Sequence, residues 1–372
     1  MELTDIIRDI KAQNNRISCL IFVDKENENK AIGYIESKEW VFTFYQNEAL
    51  DDCLKIIREK KINIIITETK YNYLMNRLLW YAIAIRACIY IDTNNPYQIE
   101  KNHNLLMNTK LWDAVALSAS NDIEAGGWVN SYTKKHFIEN EMSEFSENAY
   151  LKLKDVLGDK KDKKVLEIGC ASGITMFRLL PYVSEYVGID LSKINIKKNE
   201  EKAKQQNIAN LKLFAMPADK LLDLNERDFD LIIMNSVAQY FPGINYMREV
   251  ILNGIDIMKP HGVIYLGDIM DLDKRDILHK SLIDYKNMNP THNTKIDLSN
   301  ELFFGKDYFN DLNKTINEIT HISFSDKIGT IKNELFNYRY DVLITVDKTS
   351  CKLKRNYKLT KYQFGGLKIC QS

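Results

Sequence analysis

The sequence predicts an α/β protein with a mostly parallel sheet covered by helices, preceded by a smaller α/β domain. Beyond Asp122, short apolar runs alternate strictly with helical patterns, as expected of parallel strands joined by crossover helices. A shorter set of strand-like and helix-like runs precedes this block and stands apart from it. We therefore predict an N-terminal α/β domain over residues 1–118, a second α/β domain over 119–348 and a basic tail over 349–372.

In the first domain, short apolar runs predict strands, and apolar residues at helical spacing predict two helices. The predicted strands cover 16–24, 31–37, 40–46, 62–70 and 87–94, and the predicted helices cover 49–61 and 72–87. The domain contains no motif that indicates chemistry, so we predict a role in substrate recognition.

In the second domain, strands and helices alternate up to a different ending. The predicted strands cover 165–169, 185–192, 211–219, 229–237 and 262–270, and the helices between them cover 175–183, 193–206 and 246–258. Two further runs, 320–327 and 338–347, lie close together around a turn and predict a terminal antiparallel hairpin. The tail after it carries six Lys or Arg and no acid, which is typical of a solvent-facing segment.

Composition limits the classes of function. The 51 Lys and Arg balance the 51 Asp and Glu, so we expect no nucleic-acid or membrane partner. The six cysteines form no C-x-x-C pair, which argues against a zinc site and a disulfide framework. The chain has no apolar run of about 18 residues and its start lacks a signal peptide's apolar centre, so we expect a cytoplasmic location. The oligomeric state is left open.

The first strand of the second domain ends on a glycine turn. In a doubly wound sheet, ligands bind where the strands end and where glycine lets the backbone approach them. Gly169 and Gly173 lie at that turn, and Asp190 ends the next strand, where a carboxylate accepts hydrogen bonds from a ribose diol. The sequence therefore predicts a nucleoside site.

The residues around this turn argue against phosphate as part of the ligand. The spacing from Gly169 to Gly173 is not the G-x-G-x-x-G of a dinucleotide site, and no P-loop Lys-Ser or Lys-Thr follows. The acid Glu167 would repel pyrophosphate, whereas it suits the sulfonium and ammonium charges of S-adenosylmethionine.

These residues resemble the class I S-adenosylmethionine-dependent methyltransferases over about residues 122–347. The resemblance implies a Rossmann-like fold with a mostly parallel seven-stranded sheet and a terminal antiparallel strand. It also implies S-adenosylmethionine as cofactor and S-adenosylhomocysteine as product. The family motif E-x-G-x-G-x-G is altered here, since Ala171 replaces the middle glycine.

The resemblance implies a cofactor-binding set, residue by residue. Gly169 and Gly173 would flank the methionine part, Asp190 would hold the ribose, and Asp219 would accept from the adenine amino group beside the Ala218 backbone. The remaining members of the predicted set are Glu167, Cys170, Ala171, Leu191, Asn235 and Ser236.

A narrower resemblance is to the methyltransferase domains of nonribosomal peptide synthetases. Five strings carry it in order: GGWVNSYTKKHFIENEM, VLEIGCASGITMFRLLPYVSEYVGIDLS, NSVAQYFP, YLGDIMD and NELFNYRYDV. In that family the Trp-x-x-Ser-Tyr-Thr segment folds over the cofactor, so Trp128, Ser131 and Tyr132 become cofactor-side candidates. Because no adenylation or carrier domain surrounds the strings here, we expect a free-standing enzyme that tailors a peptide or peptide-like substrate.

Methyl transfer is an in-line displacement in which the protein mainly positions the acceptor. A carboxylate acceptor is already an anion at neutral pH, whereas an amine or amide must lose a proton, which a base would assist. The candidate catalytic residues are Tyr240, Asp268 and His279. We favour a peptide carboxylate, which gives a methyl ester. Methylation of a peptide nitrogen, or of a small molecule at oxygen or nitrogen, remains the alternative.

Two other classes fit less well. A nucleic-acid base methyltransferase usually has a polar residue, two prolines and an aromatic after the fourth strand, whereas this chain has Asn235, Ser236, Val237 and Ala238. A cofactor-binding module without activity would be expected to lose some of Glu167, Asp190 and Asp219, and all three are present.

Overall fold

A computed structural model describes residues 17–33, 41–46, 49–71, 74–75, 78, 85, 87–92, 107–298 and 300–349. Strands and helices are numbered in chain order within these residues. Most of the predicted helix at 72–87 lies outside them, as does nearly all of the tail from 349 onward, although the side chains of Leu74, Met75 and Leu78 are buried.

The large domain is built on a seven-stranded sheet in the order β10-β11-β9-β8-β5-β6-β7. Its strands are β5 (Lys164–Ile168), β6 (Glu185–Asp190), β7 (Leu211–Ala215), β8 (Phe229–Asn235), β9 (Met258–Met270), β10 (Ile319–Ser325) and β11 (Arg339–Asp347). Its helices are α3 (Thr109–Ser118), α4 (Asp122–Ala125), α5 (Glu139–Leu157), α6 (Ile174–Leu179), α7 (Lys193–Gln205), α8 (Ile244–Ile257), α9 (Arg275–Met288), α10 (Lys306–Thr315) and α11 (Glu334–Asn337).

The strand directions confirm the predicted fold class. The pairs β5–β6, β6–β7, β5–β8 and β8–β9 are parallel. Strand β11 runs antiparallel to both of its neighbours, β9 and β10. The hairpin predicted at the end of the domain is therefore present, with its second strand inserted between β9 and the edge strand. This is the Rossmann-like class I architecture, with the order reversing beside β5.

Alternate residues of each central strand face opposite layers, because successive side chains in a strand point to opposite faces. On β8, Ile232 and Met234 pack with α8 and α10, whereas Leu231 and Ile233 pack with α5, α6 and α7. These central strands are apolar on both faces, which explains why their sequences read as continuous apolar runs.

The smaller N-terminal domain has a four-stranded parallel sheet in the order β2-β1-β3-β4. Its strands are β1 (Ser18–Phe22), β2 (Val41–Phe44), β3 (Ile64–Thr67) and β4 (Ala87–Tyr90), and its helices are α1 (Glu28–Ile32) and α2 (Leu50–Glu59). Strands β1 and β3 are buried, whereas the edge strand β2 exposes Val41, Phe42 and Phe44.

One predicted strand of this domain is wrong where the structure describes it. Ala31 and Ile32, the first residues of the strand predicted over 31–37, instead end α1. The preceding residues Glu28 and Lys30 favour a helix, and Ala31 is the residue that α1 buries. Residues 34–40 lie outside the described part.

Helix α3 lies before the predicted domain boundary at residue 118, yet it contacts the large domain. Asp113 accepts hydrogen bonds from the Ser192 hydroxyl at 2.7 Å and from the Ile194 backbone N–H at 3.3 Å, at the start of α7. The Lys198 ammonium donates to the Ala116 carbonyl at 2.6 Å. The polar contacts of α3 therefore tie it to the large domain.

A buried ionic cluster joins β9, β11 and the segment before α11. The Lys327 ammonium lies 3.2 Å from the Asp268 carboxylate and 2.9 Å from the Asp341 carboxylate, and all three side chains are at most 2% exposed. Arg339 pairs with the other oxygen of Asp268. Asn148 of α5 donates to Asp341 at 2.8 Å. The two carboxylates of this cluster are thus balanced by two cationic side chains.

We predict that Lys327→Met lowers the free energy of unfolding by about 3 to 5 kcal/mol, because it leaves two buried carboxylates with one cation. Chemical denaturation checks this, with Lys154→Met as control, since Lys154 is exposed on α5. A Lys327→Met loss no larger than the control's would contradict the role of the cluster in stability.

Within the described residues, no helix combines the length and apolar character needed to cross a bilayer. In the same part of the chain, no group of three or more His, Cys, Asp or Glu side chains has the arrangement of a metal site.

Candidate active site

A cavity opens at the carboxyl ends of β5, β6 and β8, where the strand order reverses. It encloses about 960 Å³ of empty space, including the part open to solvent. Its lining comes from Met107 and α3, from the segment after α4, from the turns after β5 and β6 and from the end of β8. In open α/β sheets this edge is where ligands bind.

The turn after β5 depends on left-handed backbone conformations. Gly169 has φ +75°, and a Cβ there would lie 2.6 Å from a methyl group of Val237. Ala171 has φ +42°, and Gly173, with φ +85°, precedes α6. Only glycine adopts such angles at little cost, which explains the two glycines. Ala171 at the middle position carries some strain.

Asp190 holds the turns after β5 and β6 together. Its carboxylate accepts the Ala171 backbone N–H at 2.9 Å and the Ser192 N–H at 2.8 Å. Removal from water raises the pKa of Asp190, and the two N–H groups oppose that effect. The predicted ribose-binding residue therefore also organises the backbone that lines the cavity.

Glu167, the last acid of β5, is 2% exposed and lines the cavity. Burial raises its pKa to about 8, although the Tyr186 hydroxyl, which donates to it at 3.0 Å, lowers it. Asp190 adds a second negative charge that raises the pKa further. Two carboxyl groups in one cavity favour a ligand that carries positive charge there.

Buried polar atoms without a hydrogen-bond partner show which ligand groups the cavity can accommodate. Three buried oxygens have no hydrogen-bond partner among the described residues, and they belong to residues that line the cavity: Ser172 Oγ, Asn195 Oδ1 and Asn235 Oδ1. Buried polar atoms are normally satisfied, so these oxygens are available to ligand donors such as amino and ammonium groups. Together with Glu167 and Asp190 they fit a cofactor of the S-adenosylmethionine type.

Most predicted cofactor-side residues lie together around this cavity. Those that line it are Trp128, Glu167, Gly169, Cys170, Ala171, Asp190, Leu191, Ala218, Asn235 and Ser236. Gly173, Asp219 and Tyr132 are not among the lining residues. Asp219 follows the lining residue Ala218 and accepts the Tyr246 hydroxyl at 3.1 Å. The cofactor contacts of these residues stay predictions.

The two ends of the segment predicted to fold over the cofactor, Trp128 and Tyr132, contact different parts of the domain. Trp128 packs on Phe145 with ring centroids 4.5 Å apart and lines the cavity. Tyr132 instead packs against Tyr285, and its hydroxyl lies 3.0 Å from that of Ser281 in α9. The backbone N–H of Ser131 donates to the Glu334 carboxylate at 3.0 Å. This segment therefore joins the cavity to α9 and α11.

The three predicted catalytic residues are not brought together. Tyr240 lines the cavity, and burial raises its pKa to about 12, so its hydroxyl keeps its proton at neutral pH. Asp268 is fully buried in the ionic cluster, where Arg339 and Lys327 outweigh the effect of burial and hold its pKa below the ordinary value. His279 is exposed on α9 and is not a lining residue. Its catalytic role stays a prediction that this geometry does not support.

Sequence reasoning missed the contribution of α3. Trp112 lines the cavity and contacts the ring of Tyr240 with centroids 5.1 Å apart. Met107 and Asn195 also line it. The capped start of α3 at Asn108 was a local signal for the helix. Which domain the helix contacts has no local signal, because the contact is made with α7 far along the chain.

Comparison with protein families bears on the same region. Residues 166–264 match the family described as a methyltransferase domain. These residues run from β5 into β9 and include the turn, both acids and the end of β8. This part of the chain is a methyltransferase domain, and it lies in a sheet with the Rossmann-like class I strand order.

Curated relatives of this methyltransferase domain include a synthase and a nonribosomal peptide synthetase. Chondramide synthase cmdD of Chondromyces crocatus is 32% identical over 232 residues, which are 60% of this chain and 6% of that protein. The probable non-canonical nonribosomal peptide synthetase CymA of Salinispora arenicola is 29% identical over 221 residues, which are 59% of this chain and 3% of that protein. The matched part is thus a small share of each relative.

Solved structures with similar coordinates are more distant in sequence. A structure from work on the conversion of a disulfide bond into a thioacetal group during echinomycin biosynthesis has TM-score 0.43 and 18% identity, and the match covers 65% of this chain and 94% of that one. The N-methyltransferase NodS from Bradyrhizobium japonicum, in complex with S-adenosyl-L-homocysteine, has TM-score 0.42 and 16% identity, with 65% and 98% covered.

We predict that Asp190→Ala weakens binding of S-adenosylmethionine by about 1.5 to 3 kcal/mol for each charge-assisted hydrogen bond lost. Calorimetric titration of the full chain measures it. Asp223→Ala is the control, since Asp223 is exposed and is not a cavity-lining residue. Equal affinity of the Asp190→Ala and control proteins would disprove the assignment of the ribose site.

Proposed function

We propose that this chain uses S-adenosylmethionine to methylate a carboxylate of a peptide or peptide-like substrate, and releases S-adenosylhomocysteine. When bound, the cofactor supplies a methyl group on a positively charged sulfur. Glu167 and Asp190 would hold its charged and ribose parts, and Trp128 would cover it. The peptide substrate is suggested by relatives such as the nonribosomal peptide synthetase CymA.

The main support for a carboxylate as methyl acceptor is that no base is found among the described residues at the acceptor end of the cavity. Among the described lining residues, the carboxyl groups belong to Glu167 and Asp190, both on the cofactor side, and none of these residues is Lys, Arg or His. We assign the acceptor end to the lining residues after β8, which are Ser236, Val237 and Tyr240. A carboxylate needs no base, because it is ionised at neutral pH.

A cation close to this end supports the same proposal. An Arg339 amino nitrogen lies 3.5 Å from the Ser236 hydroxyl, and Asp268 holds the guanidinium in place. A guanidinium binds carboxylates through paired hydrogen bonds. Asp268, predicted as a catalytic residue, would then act as a positioning residue for Arg339.

We expect base treatment of the methylated product to release methanol. An ester is cleaved by hydroxide to a carboxylate and methanol, whereas an N-methyl group is retained. The measurement uses candidate peptides, cofactor labelled in its methyl group and recovery of volatile label after mild alkali. A peptide amidated at its C-terminus and lacking side-chain carboxylates is the control. Label retained on nitrogen after alkali would reject the ester.

Methylation of a nitrogen is the second candidate function. The burial of the Glu334 carboxyl group favours it. This carboxylate is 5% exposed and accepts the Ser131 N–H. Burial raises its pKa, with Arg339 opposing that effect. A buried carboxyl group with a raised pKa is suited to take a proton from an amine. If the label remains on nitrogen, Glu334→Gln is the variant to test, with loss of kcat as the expected result.

The N-terminal domain is proposed to recognise the peptide. Its sheet folds on its own core, and its edge strand β2 exposes apolar side chains. The proposal also includes a cytoplasmic location and no nucleic-acid or membrane partner.

A fragment that begins at residue 107 keeps α3 and the described cavity lining. We predict that it keeps the cofactor affinity of the full chain and loses about tenfold or more in kcat/KM for the peptide, which corresponds to about 1.4 kcal/mol. Calorimetry and a turnover assay on the two proteins measure these quantities. Equal kcat/KM values would reject the recognition role.

A further inference from the structure

Tyr186 on β6 is a buried tyrosine that none of the predicted cofactor contacts uses. Its side chain is 0% exposed, and its hydroxyl donates to Glu167 Oε2 at 3.0 Å. Its ring belongs to the apolar layer formed with α5, α6 and α7. The hydroxyl is therefore directed from that layer toward the floor of the cavity.

The register of β5 and β6 makes this contact. Glu167 pairs with Gly188, and Val165 pairs with Tyr186, so Tyr186 is the diagonal neighbour of Glu167 on one face of the sheet. Gly188 has no side chain to separate them. A Cβ at Gly188 would approach Leu213 at 2.7 Å and the Cys170 sulfur at 3.1 Å. The glycine thus gives the tyrosine hydroxyl access to the carboxylate.

Ionisable side chains near Glu167 differ in their effect on its charge. Asp190 at the end of β6 raises the pKa of Glu167. The thiol of Cys170 in the turn after β5 is buried, which raises its pKa well above the ordinary value and leaves it neutral. Burial likewise raises the pKa of Tyr186, so it remains a hydrogen-bond donor. Tyr186 is the side chain whose hydrogen bond favours the carboxylate form of Glu167.

We propose that Tyr186 is a positioning residue for cofactor binding: its hydroxyl holds one oxygen of Glu167 so that the carboxylate faces the positive charge of the cofactor. This inference rests on the proposed use of S-adenosylmethionine and not on the identity of the acceptor. Binding of the cation to a partly protonated Glu167 then releases that proton to solvent, because the cation favours the carboxylate.

The test is calorimetric titration of the full chain with S-adenosylmethionine between about pH 6 and pH 9. For the natural sequence, affinity rises with pH toward the pKa of Glu167, and binding releases a proton, detected by comparing buffers of different ionisation enthalpy. Tyr186→Phe keeps the ring and removes the donor, so the pKa of Glu167 rises. We expect affinity about tenfold weaker at pH 7, with the difference narrowing as pH increases.

Two further proteins separate positioning from a purely structural role. In a Glu167→Gln background, which cannot ionise, Tyr186→Phe should no longer change the pH dependence of affinity. Tyr308→Phe is the matched control, since it also removes a buried tyrosine hydroxyl, one that donates to the Ile244 carbonyl at 2.8 Å. Its affinity should equal that of the natural sequence at every pH.

If Tyr186→Phe does not fold, 3-fluorotyrosine at position 186 serves instead. Its hydroxyl is a stronger donor, so the rise in affinity should move to lower pH. A loss that is equal at all pH values, the same loss in the Glu167→Gln background, or binding without proton release would overturn the proposal. Failure of the natural sequence to bind the cofactor would instead overturn the proposed function.

Discussion

The constraint on which the site depends is the placement of two carboxyl groups, Glu167 and Asp190, at the edge of the sheet where its order reverses. A buried charge is costly unless a partner compensates it. Among the described residues, the hydrogen bonds to these acids come from neutral donors: Tyr186 for Glu167, and the Ala171 and Ser192 N–H groups for Asp190. The carboxyl groups are thus arranged for a ligand that brings positive charge.

The buried ionic cluster at β9 and β11 shows the opposite solution. Asp268 and Asp341 lie there with Lys327 and Arg339, so two acids meet two bases. The charges of this cluster balance one another, and the cluster holds three chain segments in one arrangement. The same residue type, a buried aspartate at a strand end, therefore serves a ligand site in one place and a structural joint in the other. Partner charges decide between the two.

The segments that cover the cavity are held by hydrogen bonds to distant parts of the chain. Asp113 of α3 accepts a hydrogen bond from Ser192 at the start of α7. The Ser131 N–H donates to Glu334 of α11. Thr294 donates to the Tyr132 carbonyl at 2.8 Å. Hydrogen bonds from separate regions of the sequence thus hold α3 and the segment that continues from the lining residue Trp128. This explains why an acceptor pocket is harder to infer from sequence than a cofactor pocket.

The sequence by itself determined the alternating strands and helices, the antiparallel last pair and the turn after β5, because each leaves a local mark. Apolar runs of strand length, helical spacing and glycines at left-handed positions are all set within a few residues. The same local marks located Glu167 and Asp190 at adjacent strand ends. Local signals failed at Ala31 and Ile32, where helix-forming neighbours prevailed over an apolar run.

Only the tertiary structure decided which of the candidate side chains share one cavity. Tyr240 and Trp112 contact each other in the cavity. Asp268 instead lies in the buried ionic cluster, and His279 is exposed on α9. Sequence spacing could not separate these outcomes, since each depends on contacts with residues far along the chain. The link between Tyr186 and Glu167 is of the same kind, because it follows from strand register and a facing glycine rather than from any motif.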